Sequence, residues 1–390
     1  MHKKNVEKFS DNTKNRTLAE LLRIQNPPKY PDGSKVKLLR IVDLFAGCGG
    51  LTLGAFQAAN ELTIKPEIAF AIDSNPLAMD VYKSNFSHSA LRLETGKIEK
   101  YSATETFFNL SKFGISLNKE IGKIDILLAG PPCQGNSDLN NSSRRNDPRN
   151  ELYLAPVLFA EHLRPRFVII ENVPGVIHAK SNVVHRSIDR LSRSGFVCSQ
   201  MRLDLTSLGL PQSRKRHLLV ASREHTKEEL DLLFSSLPAS PQCVSLWDFI
   251  SDLEDIQGSS TDIFNKFANA SAINKERIDY LFDNEVYDLP NELRPPCHRD
   301  RAHSYVSMYG RLKKDLPSQT ITSGFGSMGQ GRFVHPTRRR TITPHEAARI
   351  QGFPDYFSFG ENASMTELRK MIGNAVAPAL SKFFIEGLLR

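Results

Sequence analysis

The chain has 390 residues, of which 40% are hydrophobic and 24% charged, a composition typical of a soluble globular protein with one large or two smaller domains. The formal charge of +8 favours a polyanionic partner such as nucleic acid over a small neutral substrate. Five cysteines without a C-x-x-C pair, and no apolar run near the ~20 residues of a membrane span, argue against a disulfide framework, a four-cysteine zinc site and a membrane protein. We therefore expect a protein of the cytosol or nucleus.

The predicted elements alternate between strands and helices. A polar arm over residues 1–37 is followed by an apolar strand over 38–45, a glycine-rich turn and a helix over 51–60. Further strands are predicted over 68–72, 124–129, 167–170, 197–205 and 217–221, and helices over 76–86 and 152–163. This alternation predicts an α/β fold with an open, parallel, doubly wound sheet, which binds ligands outside the carboxyl ends of its strands.

The alternation ends after Arg223, where short polar helices, proline-rich loops and glycine-rich segments predict a second, smaller domain. The last residues are again helical and apolar enough to require a packing partner. The predicted divisions are an arm (1–37), a catalytic domain (38–235, completed by 365–390), a small domain (236–345) and a connection back to the catalytic domain (346–364).

Two features follow the first two strands. The loop DLFAGCGG (residues 43–50) allows the backbone to approach a ligand closely, and the helix after it offers free N–H groups. It is neither G-x-G-x-x-G nor a G-K-[ST] loop, and the alternative is a tight structural turn. Asp73 ends the second strand, where an acid commonly accepts hydrogen bonds from ribose hydroxyls or helps to begin the next helix. Both roles can hold at once.

Three more groups are predicted at the same edge of the sheet. Cys133 lies on a proline-supported loop, which exposes a reactive thiol, whereas Cys198 lies in an apolar strand and fits a structural thiol. Glu171 follows the strand over 167–170, and Arg214 and Arg216 would point to the same side of an extended segment. Separately these could be a buried thiol, a helix-capping acid and a solvated basic run, but packing alone does not explain their coincidence.

Six segments, in order, resemble the motif series of the DNA (cytosine-5)-methyltransferases. They are DLFAGCGG (43–50), GPPCQ (130–134), ENV (171–173), Q-x-R-x-R (212–216), RTITPHEAARIQGFP (340–354) and IGNAV (372–376). The resemblance covers residues 38–390 apart from a variable stretch at about 226–316. It implies a Rossmann-like, S-adenosylmethionine-dependent methyltransferase domain and a smaller target-recognition domain.

The resemblance also implies roles for particular residues. Cys133 matches the nucleophile that adds to carbon 6 of cytosine, Glu171 the acid at N3, and Asn172 a group that positions it. Arg214 and Arg216 match an arginine pair near the active site, with Arg216 at the cytosine O2. The implied S-adenosylmethionine contacts are Asp43, Phe45, Gly47, Gly49, Asp73, Pro132 and Asn374; no metal is implied.

The expected substrate is double-stranded DNA, from which the family flips the cytosine into its pocket. Thr320 and Thr322 resemble the recognition-region marker, and Arg144 and Arg145 follow the nucleophile loop, so these four are candidate DNA contacts. For the threonines an ordinary strand is the equal alternative. A monomer in the cytoplasm, associated with the nucleoid and acting apart from a cognate restriction endonuclease, is expected.

Two positions depart from the family pattern. Asn136 replaces an aromatic residue on the nucleophile loop, and Lys97 lies where an aspartate contacts adenine. Three alternative hypotheses remain. A transfer-RNA methyltransferase is disfavoured by the large variable region, and a nicotinamide oxidoreductase by the missing G-x-G-x-x-G. An inactive DNA-binding homologue would be expected to lose Cys133, Glu171 or Arg216, which are all present.

Overall fold

The computed structural model describes residues 17–31, 33, 36–104, 107–132, 148–237, 244–255, 262–300, 307–360 and 363–390. The strands in these ranges are β1 (Leu38–Leu44), β2 (Lys65–Asp73), β3 (Leu93–Thr95), β4 (Ile126–Ala129), β5 (Phe167–Asn172), β6 (Val197–Asp204), β7 (Gln212–Ser213), β8 (Lys215–Ser222) and β9 (Ser318–Gln319). The helices are α1 (Leu18–Leu22), α2 (Gly50–Glu61), α3 (Pro76–Phe86), α4 (Lys112–Ile121), α5 (Ala155–Leu163), α6 (Val183–Arg193), α7 (Lys227–Ser235), α8 (Trp247–Ile250), α9 (Ala272–Asp283), α10 (Pro296–Arg299), α11 (Pro344–Ile350), α12 (Met365–Asn374) and α13 (Pro378–Leu389).

The main sheet has seven strands in the order β3-β2-β1-β4-β5-β8-β6. The first five in that order are parallel, whereas β8 is antiparallel to both β5 and β6. The prediction of an α/β fold is confirmed, but the prediction of an all-parallel sheet was wrong for β8, which alone runs against the other six strands. An apolar run predicts a buried strand without indicating its direction, since both orientations bury the same side chains.

Alternate residues of each central strand enter separate cores on the two faces of the sheet. In β4, Ile126 and Leu128 pack on one face, and Leu127 and Ala129 pack on the other. Helices α2 and α13 contribute to the first core, and α5 and α6 contribute to the second. The sheet is therefore doubly wound, and its functional groups can lie only at its edges or at the ends of its strands.

Helix α13 packs against α2 on the first face, and two glycines of α2 permit the close approach. A Cβ atom at Gly50 would collide with the carbonyl oxygen of Val376, and one at Gly54 with that of Pro378. The Ser381 hydroxyl donates to the carbonyl oxygen of Leu51 at 2.7 Å. The apolar last helix thus covers the helix that begins at the glycine-rich loop.

The segment predicted as the small domain (236–345) contributes to two cores. Ile278, Leu281, Leu289 and Val334 belong to a small separate cluster. Other residues of this part, among them Phe249 and Ile321, join the core on the first face of the main sheet. Strand β9 pairs with β7 in a parallel two-stranded sheet, which joins this part to the Q-x-R-x-R segment.

The part of the N-terminal arm that the structure describes is docked on the body of the protein. Its helix α1 buries Leu22, which is 2% exposed. The carbonyl oxygens of Leu22 and Ile24 accept hydrogen bonds from the backbone N–H groups of Asp355 and Tyr356, at 2.8 and 3.2 Å. Among the described residues, no helix is both long and apolar enough to cross a membrane.

Candidate active site

The glycine-rich loop crosses the carboxyl ends of β1 and β2. Three of its residues adopt positive φ, namely Phe45 (58°), Gly47 (54°) and Gly49 (97°), and for a phenylalanine this conformation is uncommon and strained. A Cβ atom at Gly49 would collide with the Phe86 ring, whereas the Cβ direction at Gly47 is open. The loop is therefore tightly packed beneath and open at Gly47, as a ligand cradle requires.

Asp73 holds this loop from the end of β2. Its Oδ2 accepts from the backbone N–H of Gly47 at 2.9 Å, and its Oδ1 accepts from that of Asn75 at 2.8 Å. The N-cap of α3 is Asn75, whose side chain accepts from Leu77 N. A carboxylate oxygen has two lone pairs, so Asp73 keeps acceptor capacity for a ribose hydroxyl while it fixes the loop.

Asp43 is fully buried at the end of β1. Its Oδ2 accepts a hydrogen bond from the Thr52 hydroxyl at 2.7 Å, and that hydroxyl lies 2.8 Å from the Tyr82 hydroxyl. Its Oδ1 is buried and has no hydrogen-bond partner among the described residues. Burial raises the pKa of Asp43 to about 7 against the opposing effect of the Thr52 bond, with a further increase from Asp73.

Glu171 and Arg216 form a buried ion pair at the edge where β5 ends. Arg216 Nε lies 2.6 Å from Glu171 Oε1, and the two side chains are 12% and 8% exposed. Strand β8 begins where β5 ends because the strands are antiparallel, with Asn172 opposite His217. A carboxylate and a guanidinium are therefore available together at one point, with hydrogen-bonding groups complementary to the edge of a pyrimidine.

Asn172 anchors the start of the GPPC loop. Its side-chain amide donates to the carbonyl oxygen of Pro131 at 3.1 Å, and its own oxygen accepts from Val173 N at 2.8 Å. Gly130 lies close to Glu171, since a Cβ there would be 3.9 Å from Glu171 Oε2. Cys133, Arg144 and Arg145 lie outside the described residues, but the chain leads toward Cys133 from beside the ion pair.

Two other cysteines have environments that suppress reactivity. Burial raises the pKa of the Cys48 thiol to about 12 and that of the Cys198 thiol to about 11. A nucleophilic cysteine needs a thiolate, so these two fit structural roles.

Arg214 and Arg216 contact different parts of the structure. The chain leaves the two-stranded sheet at Ser213 and joins the main sheet at Lys215, so the strand is interrupted at Arg214. Arg214 is 5% exposed, and its guanidinium donates to the carbonyl oxygens of Ile321, Gly373 and Ala375. Only Arg216 of this pair contacts Glu171 in the described residues.

A cleft of about 380 Å³ opens beside the ion pair. It is lined by Pro174, Gly175, Ile177, His178, Arg202, Ser213, Lys215, Arg216 and Thr320. Arginine and lysine side chains give it positive charge, which suits a phosphate backbone. Neither Arg202 nor Lys215 was predicted from the sequence as a site residue. Lys215 lies within the Q-x-R-x-R motif, but between its two arginines it was not singled out. Arg202 is a single arginine in a strand, and no local sequence pattern marks such a residue as functional.

Thr320, which lines this cleft, and Thr322 are both half-buried. The Thr320 hydroxyl donates to the carbonyl oxygen of Ser213 at 3.1 Å. By contrast, the arginines before α11 are engaged with carboxylates: Arg338 with Asp255, Arg339 with Asp279, and Arg340 with Glu346. Those arginines therefore support the local fold. Of the two threonines predicted as DNA contacts, Thr320 is the one that lines the cleft.

Comparisons with known proteins agree with this geometry. The sequence profile of the C-5 cytosine-specific DNA methylases matches residues 39–390. The Type II methyltransferase M1.BsuMI of Bacillus subtilis is 42% identical, with 94% of this chain and 85% of that protein aligned. The Type II methyltransferase M1.HphI of Haemophilus parahaemolyticus is 27% identical, with 90% of this chain and 87% of that protein aligned. A crystal structure of S. pombe Dnmt2 methyltransferase has a TM-score of 0.60 and 19% identity, covers 90% of this chain and 98% of that one, and supports the fold.

The chain therefore belongs to the C-5 cytosine-specific DNA methylase family. It is a DNA (cytosine-5)-methyltransferase, and membership implies DNA as substrate and S-adenosylmethionine as methyl donor. The described residues fit that donor: an open loop at Gly47, an Asp73 carboxylate with acceptor capacity, and an exposed Asn374 on the segment that packs against α2. The described residues contain no group of three or more potential metal-ligating side chains.

Proposed function

We propose that this chain is the modification enzyme of a restriction–modification system, which methylates carbon 5 of one cytosine within a specific duplex sequence and uses Cys133 as the nucleophile. The observation that carries the residue assignment is the Glu171–Arg216 pair, 2.6 Å apart, beside the anchored start of the GPPC loop. The Type II methyltransferases among its relatives support the biological role.

The proposed chemistry uses a thiolate, a carboxyl group and a guanidinium. The Cys133 thiolate adds to carbon 6 of the flipped cytosine, while Glu171 binds the ring at N3 and Arg216 donates to O2; addition makes carbon 5 nucleophilic. The S-adenosylmethionine then supplies the methyl group. The carbon 5 proton leaves to water, the carbon–sulfur bond breaks, and the thiolate is regenerated. Asn172 acts by holding Pro131 and hence the loop.

The proposed donor site lies at the carboxyl ends of β1 and β2. Asp73 accepts from the ribose, and the glycine-rich loop and the start of α2 contact the methionine end. The proposed contacts are Asp43, Phe45, Gly47, Gly49, Asp73, Pro132 and Asn374. Asp43 acts through burial beneath the loop, where Thr52 holds it.

The proposed DNA path follows the basic cleft. Arg202 and Lys215 are its phosphate contacts, together with Arg144 and Arg145, while Thr320 and Thr322 lie on the recognition side. The small domain (236–345) reads the sequence, and residues 365–390 complete the catalytic domain. We expect a monomer in the cytoplasm, on the nucleoid, with a restriction endonuclease acting separately.

A methylation assay with deep sequencing tests this proposal. Purified protein is incubated with labelled S-adenosylmethionine and unmethylated plasmid DNA or transfer RNA, and bisulfite sequencing locates the modified cytosines. Wild-type protein should methylate one short DNA sequence and protect that sequence from cutting by a restriction endonuclease that recognises it. Cys133→Ala should abolish transfer, and Glu171→Gln should reduce it strongly. Cys198→Ala is the matched control, because that thiol is half-buried and its pKa is raised.

Each alternative gives a different result. Label in transfer RNA alone would move the substrate to RNA. Binding of S-adenosylmethionine and DNA without transfer would identify an inactive homologue. Full activity of Cys133→Ala would contradict the nucleophile assignment.

A further inference from the structure

The backbone N–H and C=O groups of Ile321 are both held by the Q-x-R part of the Q-x-R-x-R motif. Gln212 Oε1 accepts from Ile321 N at 2.8 Å, and the Arg214 guanidinium donates to Ile321 O at 2.7 Å. Ile321 lies between Thr320 and Thr322, the two proposed DNA contacts. Gln212 and Arg214 therefore fix the backbone that presents both hydroxyl groups, although neither reaches into the cleft.

The same Arg214 guanidinium holds the proposed donor contact on the other side. It donates to Gly373 O at 3.2 Å and to Ala375 O at 3.4 Å. These two carbonyl groups flank Asn374, the exposed residue assigned to the methionine end of the donor. One buried cation thus determines the backbone positions before and after that asparagine.

The two segments are also in direct contact. A Cβ atom at Gly373 would collide with the backbone of Thr322 and Ser323, so only glycine fits without moving one segment away from the other. Gln212 extends the connection, because its amide donates to Gln351 Oε1 at 2.8 Å and Gln351 in turn donates to Ile372 O at 2.6 Å. The recognition segment and the donor segment are therefore joined by direct packing and by a chain of hydrogen bonds.

We propose that Arg214 and Gln212 are positioning residues that couple DNA binding to S-adenosylmethionine binding. The proposal rests on the proposed function, because it uses Thr320 and Thr322 as DNA contacts and Asn374 as a donor contact. Either ligand orders the shared unit. The second ligand then binds to a segment that is already in place, and the effect is equal in both directions.

The test measures the coupling itself. The probe is a short duplex that contains the sequence found by bisulfite sequencing. Its dissociation constant from the protein is measured without and with saturating S-adenosylhomocysteine, well below the melting temperature of the protein. The ratio of the first constant to the second measures the coupling. For the wild type we expect the ratio to be about 5- to 150-fold, the usual range of such coupling. In Arg214→Lys the ratio should fall to about 1, because lysine cannot hold three carbonyl groups in one plane.

A second variant and a control separate coupling from folding. Gly373→Ala leaves Arg214 intact and should also lower the ratio by pushing the two segments apart. Arg349→Lys alters another buried arginine, 1% exposed, which donates to Phe249 O at 3.0 Å and pairs with Asp355. This control should lower the melting temperature and leave the ratio unchanged.

Three results would overturn the proposal: a wild-type enzyme that methylates DNA with a ratio near 1, an Arg214→Lys variant that loses turnover but keeps the ratio, or loss of the ratio in Arg349→Lys as well. A wild-type protein that neither methylates nor binds DNA would instead overturn the proposed function, so the wild-type measurement tells the two failures apart.

Discussion

The main sheet divides into a parallel half, with the strand order β3-β2-β1-β4-β5, and an antiparallel half, formed by the pairing of the reversed strand β8 with β5 and β6. The two halves bring functional groups to the same edge from opposite ends of their strands. In the parallel half, the glycine-rich loop, Asp73 and Glu171 lie at or after the last residues of β1, β2 and β5. In the antiparallel half, Lys215 and Arg216 are the first residues of β8, which runs against β5. Chain direction therefore decides whether the residues after a strand or those before it reach the active site.

The two buried carboxyl groups at this edge differ in whether the antiparallel half supplies them with a cation. No cation among the described residues pairs with Asp43, and burial raises its pKa to about 7. Glu171 is also buried but has Arg216 at 2.6 Å. Burial disfavours an isolated carboxylate, whereas a guanidinium within hydrogen-bond distance offsets that cost.

The largest effect is expected when the antiparallel half loses its cation. Arg216→Met leaves Glu171 buried and unpaired, so the free energy of unfolding should fall by about 3 kcal/mol. The methyl-transfer rate should fall by about 100- to 1,000-fold, as for loss of one donor to a reacting oxygen. Single-turnover assays and urea titrations measure the two quantities.

A double variant and a control complete that experiment. Arg216→Met combined with Glu171→Gln should regain stability without regaining rate, because the unpaired charge is removed but the catalytic groups are absent. Arg190→Met breaks a comparable pair with Glu161, away from this edge, and should reduce stability alone. An unchanged transfer rate in Arg216→Met would contradict the role of this arginine.

A smaller effect, in the parallel half, depends on pH. The folded Asp43 carboxyl keeps its proton up to about pH 7, whereas in the unfolded chain it ionises near pH 4. The folded state binds more protons across this window, so this group lowers stability as the pH rises. Asp43→Asn removes that decline, and its stability relative to wild type should increase by on the order of 2 kcal/mol from about pH 5 to about pH 8.

Denaturant titrations at a series of pH values measure this difference. Asp80→Asn is the control, because Asp80 is exposed on α3 and should show no such trend. A pH-independent difference between Asp43→Asn and wild type would mean that Asp43 ionises in the folded protein as it does in the unfolded chain.

The smallest effect concerns the rim of the cleft. Lys215→Ala should weaken binding to all DNA sequences alike, and the slope of log affinity against log salt should decrease in magnitude by about 1, since one phosphate contact is lost. Lys227→Ala on α7, where the lysine pairs with Asp231, should leave the slope unchanged. Equal slopes for Lys215→Ala and wild type would place the DNA elsewhere.

The sequence predicted elements and motifs better than directions and long-range contacts. The helix over 76–86 is observed with those bounds, because an asparagine cap and a proline at its first turn mark its start. The direction of β8 was not predictable, since its apolar run fits either orientation. The orientation of Arg214 depends on carbonyl groups more than 100 residues away, which no local pattern encodes. The domain boundaries stay predictions.

The docking of the arm and of α13 has a consequence for biosynthesis. Ser381 bonds to the helix after the glycine-rich loop, and Gln25 bonds to Asp355, in each case across 330 residues. A nascent chain on the ribosome cannot close these contacts until the distant partner has emerged, and contacts of such separation form late in folding. The packing of α13 on α2 and of the arm on the body should therefore form late, after α13 has emerged from the ribosome.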